Sequence, residues 1–269
     1  MIDAHVHVWR IGENGFSWPP PSLSAIHRHF SLQDWRKETA PVAAEGVILV
    51  QSQEDPADTA WLLELADRDP AVLGVVGWTN LEAPDAPQAI ARLAGHSRLR
   101  GLRPMVQDCA ADWYDNGALE PAWAAMEQAG LVLEALIRPA HLSSLNRLAA
   151  RHPELAIVID HAGKPDPRAL EGWRRDLSSI AARPQVRCKL SGLLTELSPD
   201  MPAGAIEPIV SVLVDLFGTD RLMWGSDWPV LTLAGNYAGW LEQARRLVPP
   251  SLHDAVFGGT ARATYGLTR

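Results

Sequence analysis

The chain has 269 residues, enough for one large domain or two small ones, and its 47% hydrophobic and 21% charged residues suit an ordinary globular protein. A net charge of −8, with no basic block of five or more residues, argues against nucleic acid or an anionic membrane surface as partner. No apolar run reaches the roughly 18–20 residues that span a bilayer. Strand-like residues from Ile2 leave no room for a signal peptide, and Cys109 and Cys188 make no disulfide framework, so a reducing cytoplasm is the expected location.

Short β-branched or apolar runs recur along the chain. "IDAHVHVW" comes first, then "GVILVQ" at 46–51, "VLGVVGWTNL" at 72–81 and "LRGLRPMVQ" at 99–107. "LVLEALIRP" follows at 131–139, "LAIVIDHAG" at 155–163, "VRCKLSGL" at 186–193 and "RLMWGSDWP" at 221–229. Each reads as a strand. Amphipathic helix patterns lie between them. In "DPADTAWLLELADRD" Asp55 suits an N-cap and Pro56 the first helical position, while Trp61, Leu62 and Leu65 share a face. "EPAWAAMEQAG" and "IEPIVSVLVDLFG" end in glycine stops at Gly130 and Gly218, and "GNYAGWLEQARRLV" follows the last strand.

Strands alternating with helices predict a parallel sheet. Eight such units in about 250 residues match an α/β fold of one (β/α)₈ TIM barrel, here a single domain over 1–269. A doubly wound open sheet is the alternative, but it usually has fewer strands, and no glycine-rich phosphate loop follows the first strand. Residues 10–30, with prolines at 19–21, predict a long first loop over the barrel mouth.

In such a barrel the chemistry sits at the C-terminal ends of the strands. His5 and His7 alternate on the first strand and so share a face. Gln51 ends the second strand, with Glu54 just beyond it. Arg103 lies on the fourth, Asp160 and His161 end the sixth with Lys164 in the following turn, Lys189 lies on the seventh, and Ser226, Asp227 and Trp228 end the eighth. A buried histidine alone usually means a hydrogen-bonded core residue, and a strand-end aspartate a helix cap. Ionisable groups from five strands at one mouth point instead to a site, because such charges are costly unless paired, hydrated or bound.

His5, His7, His161 and Asp227 form a candidate divalent-metal set whose nitrogen and oxygen donors suit Zn²⁺ or Mn²⁺. Without metal the same groups still make a hydrolytic site. Asp227 would take a proton from water, and the histidines, Arg103 and Lys189 would stabilise an oxyanion.

"DAHVHVW", "GLRPMVQ", "DHAGKP", "CKLSGL" and "WGSDWPV", in this order, resemble the amidohydrolase superfamily, and within it the amidohydrolase-2 type branch of TIM-barrel lactonases and related hydrolases. The resemblance covers nearly the whole chain. It implies that His5 and His7 match first-strand metal ligands, that Asp227 matches the last-strand aspartate that binds metal and acts as general base, and that His161 matches the histidine after strand six. No lysine or histidine ends "LEALIRP", so the binuclear set is absent. Some members of the branch work without metal, so the resemblance leaves open whether a Zn²⁺ or Mn²⁺ ion is required or dispensable. His141 either begins a helix over 141–151 or faces substrate.

Trp9, Trp18, Trp113 and Trp228 fall beside the mouth, either as packing or as flat faces for a sugar ring. Trp61, Trp123, Trp173 and Trp240 lie in helix patterns and read as structural. Arg103, Lys164 and Lys189 suit an anionic or hydroxyl-rich ligand, and Gln51 and Glu54 can bond hydroxyls. The expected activity is hydrolysis of an aldono- or aldarolactone, a small-molecule substrate. Lactone isomerisation or decarboxylation on the same barrel, and a non-catalytic sugar-acid binding protein, are the alternatives. Homo-oligomerisation stays open, since no interface is legible in the pattern.

Overall fold

The computed structural model describes residues 1–13, 18–198, 200–202 and 204–267. Eight parallel strands run in sequence order around one sheet. They are β1 (Ile2–Val6), β2 (Gly46–Val50), β3 (Val72–Gly77), β4 (Leu99–Leu102), β5 (Val132–Ala135), β6 (Ile157–Ile159), β7 (Val186–Leu190) and β8 (Leu222–Trp224). Beyond the end of β8, His7 N–H donates to the Trp228 carbonyl at 2.8 Å and Asp227 N–H to the His5 carbonyl at 2.9 Å, drawing the first and last strands together. The result is the (β/α)₈ barrel that the alternating pattern predicts.

The helices include α1 (Leu32–Thr39), α2 (Pro56–Arg68), α3 (Ala86–Ala94), α4 (Glu120–Ala129), α5 (Leu142–Arg151), α6 (Leu170–Ala181), α7 (Glu207–Phe217) and α8 (Tyr237–Leu247). Local chemistry sets their ends. Asp55 caps α2 by accepting from Ala57 N–H at 2.8 Å, and Pro56 fills the first helical position. Ser31 and Asp34 form a reciprocal capping box on α1. Gly130 leaves α4 in the left-handed conformation at φ 64°.

The strands are shorter than the apolar runs that announce them, because each run continues into the loop that builds the mouth. Outward-facing strand residues such as Leu133, Ile159, Cys188 and Trp224 pack against the helices. Ile2, Ala4, Ile48, Val50, Val76, Val132, Val158 and Met223 fill the lower interior with Ala261, Tyr265 and Leu267 from the C-terminal segment. In β1 the pairing register with β2 shifts between Asp3 and Val6. This irregularity lets Ile2 and Ala4 below, and His5 and His7 above, share the same interior.

Candidate active site

The upper interior is a column of ionisable side chains. At its base Lys189 Nζ donates to Glu134 Oε2 at 2.6 Å and lies 3.2 Å from Asp160 Oδ1 and 3.1 Å from His5 Nδ1. Lys189, Glu134, Asp160 and His5 are all fully buried. Asp160 also approaches His5 Nδ1 at 3.4 Å and Arg103 Nη1 at 3.6 Å. Burial alone would raise the Asp160 carboxyl, but Lys189 and His5 overcome it and hold the group well below the usual carboxylate range. Burial raises Glu134 to about 7 against the pull of Lys189, and it lowers the His5 imidazole with help from Lys189.

Above this base, four groups converge. His5 Nε2 and His7 Nε2 are 3.2 Å apart. Asp227 Oδ1 lies 3.7 Å from His5 Nε2, 3.4 Å from His7 Nε2 and 4.0 Å from His161 Nε2. A tetrahedral ion with bonds of about 2.0–2.2 Å sets its ligand atoms about 3.3–3.6 Å apart, so His5, His7 and Asp227 fit a divalent metal with His161 beside them. The outer partners suit that role. His7 Nδ1 is 2.8 Å from the Val50 carbonyl and His161 Nδ1 2.9 Å from Ser191 Oγ, which leaves both Nε2 atoms facing Asp227. Burial lowers the His161 imidazole to about 4, so it is neutral at pH 7. Burial would raise Asp227; His161, His7 and His5 around it hold it ionised well below the usual range instead.

The local backbone is shaped for this convergence. Residues 161–164 all take positive φ, 53° at His161, 56° at Ala162, 69° at Gly163 and 53° at Lys164, and Trp173 of α6 secures the turn by donating to the Ala162 carbonyl at 2.8 Å. Asp227 also has a positive φ of 59°. Gly192 is left-handed at φ 61°, and a β-carbon there would enter the His161 ring. Trp240 of α8 braces the end of β8 by donating to the Gly225 carbonyl at 3.0 Å.

A cavity of about 440 Å³ opens above the convergence, lined among others by His7, Arg103, His161, Lys164 and Asp227. Trp18 from the long first loop lines it too, with Ser52, Gln107, Asp108, Thr195 and Glu196. A larger cleft of about 560 Å³ lies at the N-terminal end of β1, and none of the candidate residues lines it. Chemistry, not size, therefore selects the smaller one.

Several sequence-derived candidates lie elsewhere. Lys189 sits behind His5 and does not line the cavity, so it reaches a substrate only through its neighbours. Gln51 is buried outside the lining, with its side-chain amide donating to the Arg103 carbonyl at 2.9 Å while Arg103 Nη2 donates to the Gln51 carbonyl, so its observed contacts orient Arg103. Glu54 is exposed outside the lining. Trp113 packs on Tyr114 and Trp123 with ring centroids at 5.1 and 5.9 Å, and Trp228, 1% exposed, packs on Phe30 at 5.3 Å. Both rings find apolar partners in the wall. His141 lies just before α5, buried and outside the lining. Arg138 N–H donates to its Nδ1 at 3.2 Å and its Nε2 lies 3.2 Å from the Cys109 carbonyl, tying the loops after β4 and β5 together. Glu134, Ser191 and Glu196 escape the sequence reading. A lone glutamate in "LEAL" carries no signal until alternation around Leu133 and Ala135 shows that it faces inward.

A family model described as Amidohydrolase matches residues 2–267. The chain is 44% identical to an L-fucono-1,5-lactonase of Burkholderia ambifaria, covering 100% of this chain and 96% of that one. It is 35% identical to an L-fucono-1,5-lactonase of Burkholderia multivorans, covering 99% and 96%. A crystal structure of an amidohydrolase from Burkholderia multivorans with bound zinc superposes with a TM-score of 0.91 at 33% identity, covering 99% of each chain. Among the described residues no helix is long and apolar enough to cross a membrane. With the ordered motifs, the barrel and the histidine–aspartate convergence in agreement with these matches, the chain belongs to the amidohydrolase family.

Proposed function

We propose that this protein, as one domain in a reducing cytoplasm, hydrolyses a sugar-acid lactone of the L-fucono-1,5-lactone type to its open-chain acid. The observation that carries the reading is Asp227 Oδ1 facing the Nε2 atoms of His5, His7 and His161 beneath a cavity of about 440 Å³. Two L-fucono-1,5-lactonase relatives favour hydrolysis over isomerisation, decarboxylation or binding alone. The free thiols of Cys109 and Cys188 suit the compartment.

Asp227 stays ionised through neutral pH and can accept a proton from water as its oxygen attacks the lactone carbonyl carbon. Neutral His161 and the Arg103 guanidinium lie where they can donate to the oxyanion of the tetrahedral intermediate. The ring C–O bond then breaks, and Asp227 returns its proton to the departing alkoxide. His5, His7 and Asp227, with His161 beside them, would hold a divalent metal. A Zn²⁺ or Mn²⁺ ion there would supply Lewis acidity. The chain's own contribution is to fix these donors and exclude bulk water around them. Trp18 offers an apolar face to the sugar, and Ser52, Gln107 and Thr195 offer hydroxyl partners.

The test is acid release from L-fucono-1,5-lactone and related aldonolactones, followed with a pH indicator, with and without a chelator. Asp227→Asn should lower turnover about 10³-fold while its thermal midpoint stays close to wild type. Near-native rates in that variant would remove Asp227 from the mechanism. Activity that survives chelation would make the metal dispensable, and its loss would make the ion a requirement.

A further inference from the structure

The cations of the cavity are already engaged. Among the described residues its lining holds two permanent cations, Arg103 and Lys164, and three carboxylates, Asp108, Glu196 and Asp227. Arg103 donates to the Gln51 carbonyl and lies 3.6 Å from Asp160. Lys164 Nζ is 2.8 Å from Glu196 Oε1, with side-chain exposures of only 16% and 26%. A substrate carboxylate entering here would lose water and meet no cation that lacks an acidic partner among the described residues.

The Lys164–Glu196 pair is a built feature. Lys164 ends the left-handed run that begins at His161, so its side chain leaves the backbone from a constrained position. Glu196 closes a single 3₁₀ turn (Leu194–Glu196), which Thr195 fastens by donating to the Gly192 carbonyl at 3.0 Å. The two residues thus come from the segments that follow β6 and β7, the segments that also carry His161 and its partner Ser191. Glu196 occupies the place on Lys164 that a carboxylate of a ligand would take.

We propose that Glu196 is a specificity-determining residue: by occupying Lys164 it makes the site select uncharged sugar lactones and turn away lactones that carry a further carboxylate. This rests on the lactonase reading and names the charge class of its substrate. Such discrimination works by denying a counter-ion to the wrong ligand, which is negative selection within the pocket.

The experiment compares kcat/KM for uncharged L-fucono-1,5-lactone and anionic D-glucaro-1,4-lactone in wild type, Glu196→Gln and the Lys164→Gln/Glu196→Gln double variant. Glu196→Gln should raise the anionic-to-uncharged ratio about tenfold through KM for the anionic lactone, and the gain should shrink as salt is added. The double variant has the wild-type net charge and should lose the gain. A ratio unmoved by Glu196→Gln, a gain that persists in the double variant, or a wild type that accepts both lactones equally would overturn the proposal. Thermal stabilisation by D-glucaro-1,4-lactone gives a readout without turnover. If wild type released acid from no lactone, the lactonase reading would fall; stronger stabilisation of Glu196→Gln than of wild type would still support the role of Glu196, and equal stabilisation would overturn it.

Discussion

Gly192 shows how one residue without a side chain conditions the chemistry of another. Its φ of 61° is costly for any residue with a β-carbon, and that carbon would collide with the imidazole of His161. The ring cannot yield freely, because Ser191 Oγ holds Nδ1 at 2.9 Å and the side chain is buried. Gly192→Ala should therefore cost about 1–2 kcal/mol in backbone strain, and it should also displace His161 and lower turnover at least about tenfold. Chemical denaturation and steady-state kinetics on the same preparation check both effects. Stability lost with full turnover kept would show that His161 adapts. The motif "KLSGL" announces this glycine without its reason, since the partner ring lies 31 positions earlier in the chain. The same problem of unseen partners explains why Trp113, Trp228 and His141 read as mouth residues. Trp228 packs on Phe30 of the first loop and His141 Nε2 meets the Cys109 carbonyl of another loop, whereas Trp113 packs on its neighbour Tyr114 and on Trp123 of the next helix, contacts that pattern alone does not separate from a place at the mouth. His5, His7, His161 and Asp227 were legible because strand ends in a parallel barrel share one rim, so position in the repeat replaces sequence proximity.

Helix α2 carries an acidic side chain that fixes the loop before it rather than its own cap. Asp55 caps the helix, whereas Asp58 in its first turn is fully buried and accepts from Ser52 N–H at 2.9 Å, fixing the segment that lines the cavity. Burial raises Asp58 from 3.8 to about 7, against the Ser52 and Gln53 backbone donors and Arg103. A folded-state value above the unfolded one means that the native state holds the proton more tightly, so the contribution to stability is full below about 4 and is lost as pH rises through about 7. Asp58→Asn cannot lose a proton there. The stability of the variant relative to wild type should improve from pH 5 to about pH 7 and level off by pH 8, as read from urea unfolding at several pH values. A constant difference would mean that Asp58 titrates alike in both states. The amphipathic pattern of "DPADTAWLLELADRD" foretold the helix and its cap, but Asp58 looks like any first-turn acid until the β2 loop is folded over it.

Across the whole barrel, one chain of polar contacts runs from floor to site. The C-terminal helix (Thr260–Thr264) brings Tyr265 beneath the lower interior, where its hydroxyl donates to Glu134 Oε1. Glu134 accepts from Lys189 at 2.6 Å, and Lys189 faces both Asp160 and His5. Each link lies in an interior with no water access, so removing a group costs the desolvation of whatever it leaves behind. Tyr265→Phe keeps the packed ring and strips one donor from a carboxyl that Lys189 still serves. It should cost about 1–2 kcal/mol. Lys189→Met leaves Glu134 and Asp160 together without their shared cation, a like-charged pair in low dielectric, and should cost about 3–5 kcal/mol. The difference between the two variants separates a structural column from a merely packed one. If Lys189→Met unfolded in denaturant no more readily than Tyr265→Phe, the carboxyls would be held neutral in the native protein, and the base beneath His5 would be a proton-sharing pair instead of an ion pair. Unfolding Lys189→Met at pH 5 and pH 8 decides this, because a column of ionised carboxylates loses most stability at the higher pH, where neither Glu134 nor Asp160 can take up a proton to relieve the repulsion.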